Sequence, residues 1–327
     1  MNDATRQAVI DVGTNSVKLL VAEVSGAEIR PLTEISEQTR LGHGFYETRR
    51  LLPAAMDHTA QVVAEFSGVA AQWGVGSPRV IATSAAREAV NQLELVEAIR
   101  QASGLTVRVI SGDQEAAWAF RGVAHEARFA GLPLLIVDVG GGSTQCIVGR
   151  EREQRFCRSF SLGAVRLLEW LRPADPPSAR DGERCRSEIR GFLDKSVRPV
   201  LAPHLEAFPA GAVQLVGVSG TSSVLASMEL GLLAYDRDAI EARPLTAAQV
   251  RARLRQLWSL SLVERRKIAG LPPNRADIIL TGTAIYAGIM EAFGFGRLQI
   301  STRGYRFGAL LDIRFSPGTR RPASRAG

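Results

Sequence analysis

Two short segments of this chain, Asp11-Val12-Gly13-x-x-Ser16 and Asp138-Val139-Gly140-x-x-Ser143, superimpose with four identities at an offset of 127 residues. Each lies between two apolar runs: Ala8–Asp11 and Val17–Val24 around the first, Leu134–Asp138 and Gln145–Val148 around the second. Four identities alone arise by chance in a chain this long. The shared strand–turn–strand setting is what makes an internal duplication the better reading. A duplicated unit asks for two lobes, and 327 residues are enough for two separate cores.

The rest of the chain alternates in the manner of an α/β protein. After a third strand at Glu28–Ile35, Leu52–Trp73 has helical spacing, with Met56, Val62, Val63, Phe66 and Val69 near one face. A strand (Arg79–Ala82), a helix (Ala85–Ala102), a strand (Thr106–Ile110) and a helix (Gln114–Arg128) follow. The second half is richer in helix. A loop at Pro173–Pro177 precedes an amphipathic helix at Asp181–Pro199, and a strand at Val213–Val218 enters a turn at Gly217–Thr221 and a helix to Leu230. Thr246 with Gln249, and Ser261 with Glu264, are capping boxes that open two more helices. Ile278–Leu280 leads through Thr281-Gly282-Thr283, read as a turn, into a helix at Ala284–Phe293. A last strand and helix run from Leu298 to about Ile313. The expected division is a first lobe over 1–124 with a returning segment at about 300–313, a second lobe over 125–299, and a disordered basic tail at 314–327.

Composition excludes several classes. No run of about 18 apolar residues predicts a membrane span, and the short polar start before Ala8 is not a signal peptide. The net charge of +7 falls to +3 without the four arginines of the last fifteen residues, so the body makes no case for specific nucleic-acid binding. Only Lys18, Lys195 and Lys267 are lysines; the arginine excess is explained by codon usage ahead of an anionic substrate. Cys146, Cys157 and Cys185 form no C-x-x-C pair and four scattered histidines give no zinc pattern, which predicts reduced thiols in a cytoplasmic protein.

The chemistry is concentrated in the two turns. Glycine removes the Cβ that keeps backbone N–H groups away from a phosphate, so Gly13 and Gly140–Gly142 suit phosphate binding. Thr14, Asn15, Ser16, Ser143 and Thr144 add side-chain donors. Neither turn has the P-loop spacing, and each leads into a strand rather than a helix. Either turn alone reads first as an ordinary glycine hairpin; the pair with matched aspartates does not. Asp11 and Asp138 end apolar strands, where a lone carboxylate is costly to bury. A hard cation beside phosphate oxygens relieves that cost, Mg²⁺ first and Mn²⁺ as a substitute; backbone N–H groups of the turn are the alternative. Glu115 falls in a first helical turn, which favours the ionised form a water-activating base needs, although first-turn acids are usually structural. Arg87 stands at another helix start. Lys18 points either into a cleft or to solvent.

The segments IDVGTNSVKLLVAEV, ATSAAREAVN, ISGDQEAAWAFRGV, VDVGGGSTQCIV, FSLGAVRL, GVSGTSSVLAS and ISTRGYRFGALL resemble, in order, the exopolyphosphatase / guanosine pentaphosphate phosphohydrolase family from about Ala8 to Ile313. The resemblance implies an α/β fold of the duplicated actin-like ATPase (ribonuclease H-like) kind, two lobes with the active site in the cleft. It implies that Glu115 activates the attacking water and that Asp138 is associated with Mg²⁺. It also implies that Thr14–Ser16 and Gly140–Thr144 are phosphate loops and that Arg87 contacts phosphate. The implied substrates are polyphosphate and guanosine pentaphosphate, and the implied assembly is a homodimer.

Three departures from the family pattern stand out. Gln145 replaces the glutamate that usually follows Gly-Gly-Gly-Ser-Thr, with weaker metal binding expected. Gly304-Tyr305-Arg306-Phe307-Gly308 lacks the acid of the usual G-L-R-E-G segment. The chain stops before the further domain that many members carry, so processive digestion of very long chains is not expected. Two other functions stay open on sequence: an ATP-dependent kinase or ATPase using Gly217–Thr221 and Thr281–Thr283 as nucleotide turns, and a weakly catalytic polyphosphate or alarmone sensor.

Overall fold

The computed structural model describes residues 4–312; the tail expected at 314–327 lies outside them. In the first half, β1 (Thr5–Val12), β2 (Val17–Ser25) and β3 (Glu28–Glu37) form an antiparallel meander. Strands β4 (Arg79–Ala82) and β5 (Val107–Val109) join it in parallel, giving the order β3-β2-β1-β4-β5. The second half repeats this plan. Strands β6 (Pro133–Val139), β7 (Thr144–Arg150) and β8 (Glu153–Phe160) form the meander, with β9 (Gln214–Val218) and β11 (Arg297–Ile300) parallel beyond β6 and a short β10 (Leu245–Thr246) at the edge. The order β8-β7-β6-β9-β11 therefore matches β3-β2-β1-β4-β5, and the duplication read from the two turns extends to whole sheets.

Helices cover the sheets. The first half contributes α1 (Phe45–Thr48), α2 (Pro53–Gln72), α3 (Ser84–Glu88), α4 (Gln92–Ser103) and α5 (Gly112–Ala124). The second contributes α6 (Ala164–Leu171), α7 (Ala179–Phe192), α8 (Arg198–Glu206), α9 (Ser219–Leu230), α10 (Arg237–Glu241), α11 (Ala247–Ser259), α12 (Leu262–Arg265), α13 (Ile279–Phe293) and α14 (Tyr305–Leu310). Strand β6, Pro-Leu-Leu-Ile-Val-Asp-Val, is a near-continuous apolar run because neighbours cover both of its faces. One apolar cluster fills each half. A third, including Val9, Leu20, Trp118, Ile136, Val216 and Phe307, joins them beneath the turns. Segment 303–308 comes down on α5 so closely that a Cβ at Gly122 or Gly308 would overlap the facing backbone. Among the described residues no helix is long and apolar enough to cross a membrane.

Several sequence expectations are corrected. The helix expected at Ala85–Ala102 is two, α3 and α4, because Asn91 turns its amide onto the backbone of Leu51: Nδ2 donates to Leu51 O at 3.1 Å and Oδ1 accepts from Leu51 N at 2.9 Å. The helix expected at Gln114–Arg128 starts at Gly112, capped by Ser111, and ends at Ala124. The one expected at Asp181–Pro199 starts at Ala179 behind a Ser178–Asp181 capping box and passes through a wider turn at Leu193–Val197 into α8. Thr281-Gly282-Thr283 is not a turn. It lies inside α13, where Thr281 Oγ1 donates to Ile278 O at 3.1 Å and to Ala164 O at 2.7 Å. Strand β8 was missed because as a sheet edge it is largely exposed and has no apolar run.

Candidate active site

The two turns close in the same way. Gly13 N donates to Ser16 O at 3.0 Å, and Gly140 N donates to Ser143 O at 2.9 Å. A Cβ on either glycine would sit 3.0 or 3.1 Å from the carbonyl its own N–H bonds, tighter than ordinary contact. The remaining carbonyls point backwards. Thr14 O accepts from Gly42 N at 2.7 Å and Asn15 O from Arg40 N at 3.0 Å. In the second turn, Gly140 O accepts from Ala164 N at 2.9 Å and Gly141 O from Val165 N at 2.8 Å, both at the start of α6. Gly142 O accepts from Arg166 Nε at 2.8 Å. A trans peptide sets its N–H opposite its C=O. With these carbonyls turned away, the N–H groups of Asn15, Ser16, Gly141, Gly142 and Ser143 face the cavity that those residues line.

The turns come from opposite halves and meet: a Cβ at Gly141 would lie 3.0 Å from Thr14 Cβ. Their spacing is held by contacts across the cleft. Arg166 Nη2 reaches Glu88 Oε1 and Oε2 at 2.7 and 2.8 Å, and its guanidinium lies 4.2 Å from the Tyr46 ring centre. Glu169 Oε1 accepts from Gly44 N at 2.6 Å.

Around this cavity stand three buried carboxylates. Asp11 and Asp138 end β1 and β6, and Glu115 rises from the first turn of α5. Burial raises all three above the ordinary carboxylate range, Asp138 to about 6 and Glu115 to about 8. For Glu115 the Arg87 charge opposes that shift, while Asp138 and Asp11 add to it. A carboxylate poised near neutrality is what general-base chemistry requires. Asp138 is partly offset by the Ser219 hydroxyl, which donates to Oδ2 at 2.7 Å.

Lys18 lines the cavity, which resolves the choice the sequence left open. It is paired directly across the β1–β2 ladder from Asp11 and so shares its face. Burial, then Arg275 and Arg306, lower its ammonium to about 8. Gln145 holds the equivalent position opposite Asp138, but its Nε2 donates to Ser143 Oγ at 2.9 Å and Ser159 Oγ at 3.2 Å. Its amide braces the second turn through Ser143. Arg87 is one step back: Nη1 donates to Ile110 O at 2.9 Å and lies 3.4 Å from Glu115 Oε2. The charged contact the structure gives Arg87 is to the catalytic candidate. Thr144 Oγ1 donates to Leu162 O at 2.5 Å, so its hydroxyl is spent on the scaffold.

Among the cavity-wall residues that sequence reasoning missed are Arg275 and Tyr305. Arg275 ends a short helical turn, Pro273–Arg275, and nothing local distinguishes it among so many arginines. Tyr305 stood in view only as part of a segment that had lost an acid.

This geometry agrees with what the chain is similar to. The profile of the Ppx/GppA phosphatase family matches residues 20–315. The chain belongs to that family. Exopolyphosphatase 2 of Mycobacterium tuberculosis is 31% identical over 322 residues, covering 94% of this chain and 98% of the relative. The guanosine-5'-triphosphate,3'-diphosphate pyrophosphatase of Vibrio atlanticus is 27% identical over 307 residues, covering 94% of this chain and 59% of that one. The crystal structure of the Aquifex aeolicus Ppx/GppA family member, 29% identical, superimposes with a TM-score of 0.76 over 94% of this chain and 97% of its own. The two-lobed α/β architecture is therefore that of the Ppx/GppA proteins.

Proposed function

We propose that this Ppx/GppA protein releases the terminal phosphoryl group of inorganic polyphosphate, of guanosine pentaphosphate, or of both, to a water activated by Glu115. The observation that carries the proposal is a buried carboxylate held near neutrality by burial, aimed into a cleft whose two turns present backbone N–H groups to an anion. The names of the M. tuberculosis and V. atlanticus relatives supply the substrate classes.

The terminal phosphoryl group sits between the turns, its oxygens on the N–H groups of Asn15, Ser16 and Gly141–Ser143. Lys18 and Arg275 offset its charge. Such preorganised donors stabilise the equatorial charge of a phosphoryl transition state at no reorganisation cost. Glu115 orients the water and takes its proton, and Arg87 fixes the carboxylate and favours its ionised form.

Asp11 and Asp138 fit a role in holding Mg²⁺. Oδ1 of Asp11 is buried with no protein partner, a costly arrangement for an isolated carboxylate oxygen. Among the described residues no three His, Cys, Asp or Glu side chains form a metal cage. Mg²⁺ does not ask for one, since it binds through one or two carboxylates with water and substrate phosphate. When bound there it supplies Lewis-acid stabilisation of the phosphoryl oxygens.

Phosphate release should be measured with Mg²⁺ on short polyphosphate, long polyphosphate, guanosine pentaphosphate and ATP. Release from either of the first two classes or from the pentaphosphate is expected. Release from ATP alone would overturn the proposal, and tight binding without release would make the protein a sensor. The position of Thr281–Thr283 inside α13 speaks against the nucleotide-turn reading. Lys18→Met, which deletes a half-buried cation lining the cleft, is expected to raise KM for polyphosphate by about tenfold or more, the scale of a charged hydrogen bond. Steady-state kinetics check this.

A further inference from the structure

Each turn aspartate has one oxygen taken by a hydroxyl from a different element. Tyr305 Oη donates to Asp11 Oδ2 at 2.6 Å, and Ser219 Oγ donates to Asp138 Oδ2 at 2.7 Å. Tyr305 opens α14 and Ser219 opens α9, so neither belongs to the strand–turn–strand units it serves.

Both placements run against a simpler local solution. Ser219 has φ of +72°, a left-handed backbone that costs any residue with a Cβ. Glycine would adopt it without strain, so what the position keeps is the hydroxyl. Tyr305 is delivered by α14, whose end is clamped: Trp118 Nε1 donates to Asp312 Oδ2 at 3.0 Å and Arg79 Nη1 donates to Ala309 O at 2.6 Å. Gly122 and Gly308 allow segment 303–308 to press against α5, the helix that carries Glu115. Glu115 and Tyr305 thus reach the cleft on one rigid helix pair.

We infer that Tyr305 and Ser219 are positioning residues that pin one oxygen of Asp11 and one of Asp138, leaving each aspartate a single oriented oxygen for the cleft. What those oxygens serve rests on the hydrolase reading above; the pinning itself does not. The free oxygen of Asp11 is the partnerless Oδ1. A hydroxyl pin acts on a ligating carboxylate as outer-shell partners do, and removing one typically costs 10–100-fold in metal affinity or activity.

The test uses the full chain carrying Tyr305→Phe, Ser219→Gly or Ser219→Ala. Three quantities are read: Mn²⁺ binding to substrate-free protein by electron paramagnetic resonance, Mg²⁺-dependent phosphate release from polyphosphate, and Tm. Each variant is expected to bind Mn²⁺ about tenfold more weakly and to lose about tenfold in kcat. KM for polyphosphate should stay within about twofold, because the turns that hold the phosphates are untouched. Ser219→Gly, which also relieves the backbone, should melt no lower than wild type. Unchanged Mn²⁺ affinity in Ser219→Gly and Tyr305→Phe, or losses that track a falling Tm, would overturn the inference. If wild type releases no phosphate, the hydrolase reading fails and Mn²⁺ binding alone decides whether the pins exist.

Discussion

Glu115→Gln is expected to slow phosphate release by about 10²-fold or more, the usual contribution of a positioned general base. Glutamine keeps the size of the side chain and can still accept from Arg87, so the cleft is not emptied. What it cannot do is take the proton of the attacking water. The variant should also change two pH dependences. In wild type the rate under kcat/KM conditions should climb as Glu115 ionises, toward about pH 8, and the variant should lose that rising limb. Stability should move the other way. The folded protein keeps the Glu115 proton up to about pH 8, while the unfolded chain loses it near the ordinary value of 4.5. The native state therefore binds more protons across that window, and this group's contribution, complete below the window, is lost as pH rises through it. Glu115→Gln removes the loss, so its Tm relative to wild type should grow between pH 5 and pH 8. A variant that is slow but gains no relative stability would place Glu115 in a less buried setting than this cleft.

The second large effect is expected at Gly163, which lies outside the phosphate turns. A Cβ there would overlap Gly141 O and the carbonyl carbon of Gly142, both main-chain atoms that cannot rotate away. The second turn or the start of α6 must shift, and α6 is what holds the carbonyls of Gly140 and Gly141 turned from the cleft. Displacing a positioning element by about 1 Å can cost about 10²-fold in rate, so Gly163→Ala is expected to lose kcat/KM on that scale. Gly191→Ala is the control. Its Cβ meets nothing within 4 Å, so activity should match wild type. Steady-state kinetics beside melting curves distinguish a displaced turn from an unfolded protein.

The parts legible in the sequence were those written in contiguous residues. The Asp-Val-Gly turns announce themselves because glycine, hydroxyl residues and flanking apolar runs are all local, and the duplicated sheets follow from them. The side of the strand on which Lys18 lies was not legible. It depends on the pairing of Asp11 with Lys18, which a single strand does not reveal. Tyr305 reaches Asp11 across 294 residues of sequence, carried there by close packing of α14 on α5. At its helix start Arg87 reads by default as a surface residue, and a phosphate contact is only what the resemblance implies; the fold sets it 3.4 Å from Glu115 Oε2. Gln145 stands where an acid was expected, and the fold adds that its amide braces Ser143 and Ser159. In each case the residue type was informative and its direction came from tertiary structure.

The central claim is that the chain passes its terminal phosphoryl group to water and not to another acceptor. Turnover of guanosine pentaphosphate in ¹⁸O-enriched water tests it most directly. The account predicts that the released phosphate carries one solvent oxygen, and that the label appears about 10²-fold more slowly in Glu115→Gln. Phosphate released without solvent oxygen, or a phosphoryl group recovered on a second nucleotide, would contradict it.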